Sequence, residues 1–171
     1  PAWSPDGTQI AWTRTEGTAI DIWLASITGK NARPLSTAAG EDRDPAWTPA
    51  GAVAFASDRG GTGFDLWSAD ATTGTATPLV QLPGDEGDPA FAANGSGLAF
   101  SHTESGNTDV YVAAASGASP QRLTTLNGTD AQPSWSPNAQ SLAFVSARRG
   151  GRKIWVMGRD GAGQRALPSS R

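Results

Sequence analysis

The single histidine of this 171-residue chain, His102, lies in Phe100-Ser101-His102-Thr103 and is the first place to look for chemistry. A Ser-His-Asp hydrolase would need that ring to meet a nucleophile on a strained turn, and no Gly-x-Ser-x-Gly elbow occurs. One histidine and no cysteine cannot assemble a multi-histidine or thiolate metal site. His102 therefore reads as a surface residue at the end of a strand. The expectation is a protein with no catalytic residue, no cofactor and no metal.

Acidic residues make a second candidate. Glu41, Asp42 and Asp44, then Asp85, Glu86 and Asp88, then Asp130 each precede a proline by a few positions. Asp42, Glu86 and Asp130 share one spacing; Asp44, Asp88 and Gln132 share another. Two readings stand. They are loop acids that bond local amides and start a strand, or they form an acidic rim for a cation or a basic partner segment. No Asp-x-Asp-x-Asp-Gly loop supports a calcium site. With Arg59, Arg148 and Arg149 from nearby turns, Asp42, Asp44, Glu86, Asp88 and Asp130 form the candidate partner-binding rim.

The piece Arg148-Arg149-Gly150-Gly151-Arg152 has the look of an RGG-type nucleic-acid segment. It aligns with Asp58-Arg59-Gly60-Gly61 and so reads first as a hairpin turn. The chain carries a net charge of −3, which argues against general affinity for nucleic acid. That charge is uneven: residues 1–132 carry −9 and residues 133–171 carry +6. Asn94-Gly95-Ser96 and Asn127-Gly128-Thr129 fit the glycosylation pattern and are more simply turns. No run approaches the roughly 18 to 20 apolar residues of a membrane-spanning helix, so no membrane insertion is expected. The chain opens at Pro1 without an initiator Met, which leaves a mature form, an excised domain or a fragment all open.

The elements that must carry these residues come from a repeat. Pro1-Ala-Trp-Ser-Pro-Asp-Gly7 returns as Pro45-Ala-Trp-Thr-Pro-Ala-Gly51, Pro89-Ala-Phe-Ala-Ala-Asn-Gly95 and Pro133-Ser-Trp-Ser-Pro-Asn-Ala139, each step being 44 residues. Asp21-Ile-Trp, Asp65-Leu-Trp, Asp109-Val-Tyr and Lys153-Ile-Trp keep the same spacing, as do Leu35, Leu79, Leu123 and Leu167. The units run approximately over 1–44, 45–88, 89–132 and 133–171. The second unit lacks one residue in the segment after its first turn.

Within a unit the residues predict four strands, at Ala2 to Ser4, Gln9 to Arg14, Ile20 to Ser26 and Ala32 to Ser36. Ser4-Pro5-Asp6-Gly7 suits a tight turn, because Pro pre-sets φ, Asp bonds nearby amides and Gly tolerates positive φ. Val110-Tyr111-Val112 and Ile154-Trp155-Val156 are β-branched and aromatic, hence strands and not helix. Their continuous apolar character implies cover on both faces, as when four-stranded sheets stack face to face. The series Trp3, Trp47, Phe91, Trp135 and the series Trp23, Trp67, Tyr111, Trp155 then read as core rather than as a stacking platform for a ligand.

These motifs resemble the WD40-like PD40 repeat that builds TolB-type propellers. The resemblance spans the whole chain and is closest in the first unit; the third and fourth read Ala-Asn-Gly and Pro-Asn-Ala where the first has Pro-Asp-Gly. It implies an all-β β-propeller of four-stranded antiparallel blades, four of them here, as part of a larger propeller or half of a dimeric ring. It also implies a non-catalytic, periplasmic or extracytoplasmic scaffold that binds a protein or peptide. Similar blades occur in prolyl-oligopeptidase-like peptidases, as a substrate-gating propeller, and in sensor domains of membrane receptors or kinases. Four blades in an open arc would leave two apolar faces uncovered. The expectation is excision from a longer propeller, with a head-to-tail homodimer as the response of the piece.

Overall fold

The computed structural model describes residues 1–148 and 151–168. They form sixteen strands and, among the described residues, no helix. The first sheet runs in the order β1 (Ala2–Trp3), β2 (Gln9–Glu16), β3 (Ala19–Ser26), β4 (Arg33–Pro34). The second is β5 (Asp42–Trp47), β6 (Val53–Ser57), β7 (Asp65–Ala69), β8 (Ala76–Val80). The third is β9 (Asp85–Phe91), β10 (Leu98–Glu104), β11 (Asn107–Ala113), β12 (Gln121–Arg122). The fourth is β13 (Asp130–Trp135), β14 (Ser141–Ser146), β15 (Lys153–Gly158), β16 (Arg165–Ala166). Each is a four-stranded antiparallel meander, the blade expected from the repeat. The outermost strand is shorter than its sequence suggests in the first blade. Pro34 has no N–H to give, so β4 pairs only through Arg33 and Pro34 before Leu35 bonds back to the Ile22 carbonyl at 2.7 Å.

The turn after each first strand shows why Ser-Pro-Asp-Gly recurs. The Ser4 hydroxyl donates to Asp6 Oδ1 at 2.6 Å and accepts the N–H groups of Thr8 (3.1 Å) and Gln9 (2.9 Å). The Ser4 hydroxyl, and after it the Thr8 amide, hold the Asp6 carboxyl below its ordinary pKa. Asn138 repeats this, accepting from Ser136 at 2.7 Å. The last turn residue is left-handed every time: Gly7, Gly51, Gly95 and the alanine Ala139 (φ 56).

The chain divides into two compact units, Pro1–Pro89 and Ala90–Arg171. In the first, Ala11, Ile22, Leu24 and Leu35 of blade 1 pack against Val53, Phe55 and Ala69 of blade 2, with Trp47 and Trp67 closing the edge. In the second, Ala99, Val110, Val112 and Leu123 of blade 3 meet Leu142, Phe144, Trp155 and Met157 of blade 4, with Trp135 alongside. Trp47, Trp67, Trp135 and Trp155 thus pack at the cores as expected, whereas Trp3 is 63 % exposed, and two of the indoles carry a polar stitch as well. Trp47 Nε1 donates to the Ala2 carbonyl and Trp135 Nε1 to the Ala90 carbonyl, both at 3.1 Å, so each indole satisfies its N–H on the first strand of the preceding blade.

Glycine placement in the first unit gives a direct test. A Cβ at Gly7 (φ 69) meets nothing within 4 Å, whereas one at Gly74 (φ 74) falls 2.4 Å from the Leu35 carbonyl oxygen. Gly7→Ala should therefore cost only the left-handed penalty of about 1–2 kcal/mol. Gly74→Ala should have a clearly lower urea midpoint, because its methyl also drives blade 2 off the backbone of blade 1. Equal midpoints would show that the approach is not close.

Candidate functional site

The seven candidate rim residues that the structure describes separate by burial. Asp42, Glu86 and Asp130 are fully buried, at 0, 1 and 0 % exposure. Asp42 accepts Arg59 Nη2 on both oxygens (2.8 and 2.7 Å), and Asp130 accepts Arg148 Nε (3.2 Å) and Nη2 (2.5 Å). Each arginine also gives its Nε to the serine two residues before it, Ser57 at 2.8 Å and Ser146 at 3.1 Å. Each guanidinium then lies over two rings, Arg59 5.1 Å from both Phe55 and Trp67, and Arg148 5.4 Å from Phe144 and 4.6 Å from Trp155. Low-dielectric surroundings strengthen such charge-assisted bonds. The Asp-to-Arg bracket ties the start of a blade's first strand to the turn after its second.

The counterpart of Arg59 is therefore Arg148, one residue earlier than the alignment of Arg148-Arg149 with Asp58-Arg59 implies. Blade 2 is one residue short in its first turn and regains it in the next, so Ser57-x-Arg59 matches Ser146-x-Arg148. Arg149 lies outside the described residues. Glu86 accepts the Leu82 N–H on Oε2 at 3.1 Å.

Asp44 and Asp88 are placed differently. Both have positive φ (55 and 48), as does Gln132 (φ 55). At Asp44 and at Gln132 the first strand carries one extra residue against its partner, between Arg43 and Ala46 and between Ala131 and Ser134. The following proline cannot donate to the ladder, which is why the bulge sits there. Asp44 is exposed and Asp88 half-buried. The structure brings these two together: the Asp88 backbone N–H bonds the Asp44 carboxyl. The Asp44 pKa is raised, first by desolvation and then by the Asp88 charge, against the opposing pull of Arg43, whose Nε is 3.9 Å away. The Arg43 guanidinium itself lies 3.4 Å above the Phe64 ring. Spacing alone singled out Asp44 and Asp88; their backbone conformation follows from the Asp-Pro step.

His102 is buried, at 4 % exposure, rather than on the surface. Its ring meets Tyr111 edge-on at 5.0 Å, and its Nε2 is 4.0 Å from Glu104 Oε2. By position His102 replaces Ser57 and Ser146, and Glu104 replaces the two bracket arginines. Around them a cleft of about 250 Å3 is lined by His102, Glu104, Asp109, Tyr111 and Arg122. The Asp109 carboxylate there is engaged by Arg122 Nη2 (2.6 Å), Asn107 Nδ2 (2.6 Å) and the Thr124 hydroxyl (3.0 Å). Sequence reasoning also missed a groove of about 650 Å3 in the second unit, lined among others by Gln121, Trp135, Gln140, Arg159 and Asp160. Its one signal is Gln121, which stands where blade 1 has Arg33, the residue that reaches over to the Ala71 carbonyl. Among the described residues no three His, Cys, Asp or Glu side chains group to hold a metal, and no helix is long and apolar enough to cross a membrane.

Four-stranded meanders that pack face to face in pairs within each unit define β-propeller blades. The TolB β-propeller domain of the PD40 family matches residues 64–170, and the chain belongs to that family. In solved structures it is similar to TolB from Acinetobacter baumannii, at 25% identity and a TM-score of 0.84, over 100% of this chain and 43% of that one. A putative TolB from Agrobacterium tumefaciens gives 24% identity and a TM-score of 0.85 over 96% and 62%. A puromycin-hydrolyzing peptidase of Mycobacterium tuberculosis gives 15% identity and a TM-score of 0.77 over 98% and 28%. The chain thus spans less than two thirds of the TolB structures it matches. No curated protein matches it.

Proposed function

We propose that this chain is a non-catalytic binding scaffold, periplasmic or extracytoplasmic, that receives a basic segment of a protein or peptide at Asp44 and Asp88. The observation that carries the reading is the pair itself. Two aspartates in the left-handed conformation are brought together, and Asp44 is disfavoured in its charged form by desolvation and by Asp88. A cationic side chain from a partner relieves that repulsion, and rigid blades hold the two acids in place for it. Asp42, Glu86, Asp130, Arg59 and Arg148 support the strands behind the rim instead of touching the partner.

The test is binding of a fluorescent lysine- and arginine-rich peptide, followed by anisotropy at low and high salt. Asp44→Asn with Asp88→Asn is the appropriate variant, because Asn tolerates positive φ where Lys does not. Affinity should fall about tenfold in the double variant, the loss of on the order of 1.4 kcal/mol, and wild-type binding should weaken with salt. Equal affinities for the two proteins would sink the rim. The same substitution has a stability signature. A carboxyl whose folded pKa is raised stabilises the fold fully below its ordinary pKa and loses that contribution as pH rises through the raised value. Asp44→Asn should therefore flatten the decline in stability just above the ordinary aspartate pKa, as read by urea midpoints against pH.

A second reading is a substrate-gating propeller of a serine peptidase, the fold shared with the puromycin-hydrolyzing peptidase. That likeness, at 15% identity, supports the fold alone. It would require a nucleophile elbow elsewhere in the same polypeptide.

A further inference from the structure

In the first unit the space between the outer strand of one blade and the last turn of the next is filled by Arg33 of β4, which reaches over to the Ala71 carbonyl. In the second unit Gln121 stands at the position of Arg33 and Arg159 at that of Ala71, and the groove of about 650 Å3 opens between them. Two further differences shape it. Gly97 stands where the first blade has Gln9, and the turn from Ser136 to Ser141 is one residue longer than its counterpart from Thr48 to Ala52, which adds Gln140. Gly97 lies outside the left-handed region, so its backbone does not call for glycine. A Cβ there would sit 3.4 Å from Trp135 Cζ2. The missing side chain leaves the six-membered ring of that indole open to the groove.

The groove lies where turns of blades 3 and 4 meet, at the end of these blades opposite the bracket of Asp130 and Arg148. Its volume falls in the range of about 300–1,000 Å3 typical of small-molecule sites. Among its described lining residues only Arg159 and Asp160 are charged, and they cancel, so an ion of either sign meets one opposing charge. The Asp160 carboxylate is also engaged by the Ala162 N–H at 3.0 Å. Gln121, Gln140, Ser96 and Ser119 are exposed and neutral, and each of these side chains both donates and accepts. Neutral donors and acceptors around an aromatic ring match a pyranose, whose adjacent hydroxyls give and take hydrogen bonds while its C–H face lies on the ring. An extended peptide would instead need a run of unpaired strand backbone, whereas turn tips line this groove.

We infer that this groove is a saccharide-binding site, which takes a short neutral oligosaccharide against Trp135 with Gln121, Gln140 and Arg159 bonding its hydroxyls. The site does not depend on the acidic rim at Asp44 and Asp88, and it lies wholly within the second unit.

Titration of the isotope-labelled chain with cellotetraose, maltotetraose and chitotetraose, followed by backbone amide shifts, tests this. At least one sugar should give saturable shifts confined to residues 96–97, 112–121, 140 and 158–160, with a Kd of about 1 mM or tighter. Gln121→Arg with Arg159→Ala rebuilds the arrangement of Arg33 and Ala71 in the first unit. That double variant should keep the wild-type spectrum away from the groove and bind the sugar about tenfold more weakly or worse. Gln140→Ala alters only an exposed side chain, should weaken binding without closing the groove, and carries the test if the double variant does not fold. No saturable shift with any of the three sugars, shifts centred on other residues, or wild-type affinity in the folded variants overturns the proposal. Shifts at these residues from a lysine-rich or aspartate-rich hexapeptide in place of the sugars also overturn it, and assign the groove to a peptide.

Discussion

Asp130→Ala should destabilise the second unit by about 3–5 kcal/mol, the range for removing one partner of a buried ion pair. Arg148 would keep its charge, with its side chain 2 % exposed and, among the described residues, Gln164 Oε1 (2.7 Å) and the Ser146 hydroxyl (3.1 Å) left to accept from it. Against a typical net stability of about 5–15 kcal/mol, that loss leaves little margin. Replacing both partners, Asp130→Leu with Arg148→Met, should cost less than Asp130→Ala alone, because the attraction of a buried pair only about repays its own desolvation. Arg59 is less deeply placed, at 12 % side-chain exposure, so Asp42→Ala should cost less than Asp130→Ala. Urea unfolding of the four proteins, the wild type among them, settles the order. A double variant weaker than Asp130→Ala would mean that the bracket contributes net energy beyond its desolvation, and a loss below about 1 kcal/mol in Asp130→Ala would mean that water reaches it.

The architecture was legible because its signals are local and repeated. Turn chemistry at Ser4-Pro5-Asp6-Gly7, the 44-residue step and the β-branched runs each act within a few residues, and four strands appear in each repeat, although β5, β9 and β13 start at Asp42, Asp85 and Asp130, ahead of the expected unit boundaries. The candidate site was legible only in part. Asp42, Glu86 and Asp130 share a spacing with one another just as Asp44, Asp88 and Gln132 do, and spacing cannot tell a carboxylate turned into the blade from one held on a bulge. What separates them is long-range: Arg59 reaches back 17 residues to Asp42, and Arg148 18 residues to Asp130. That difference of one residue also explains the shifted alignment of the arginines. His102 read as a surface residue because it ends a strand; it is buried because Tyr111 of the neighbouring strand offers it a ring edge. The exposure of Trp3 was equally hidden, since its sequence context is the same as that of Trp47.

One repeat position separates the cost of a lost side chain from the cost of a lost neighbour. Phe55, Phe100 and Phe144 occupy it in blades 2, 3 and 4 and are all buried to 1 % or less, whereas Trp12 occupies it in blade 1 and is only half-buried. Phe144→Ala should lose about 3–5 kcal/mol, transfer and cavity terms together, because Val110, Trp155 and Arg148 close around the ring. Trp12→Ala removes a larger side chain yet should cost the isolated chain less, since much of its face already meets water. Urea midpoints of the wild type and the two variants read both costs, and a loss in Trp12→Ala as large as that in Phe144→Ala would mean that the half-buried ring is packed as closely as the buried one.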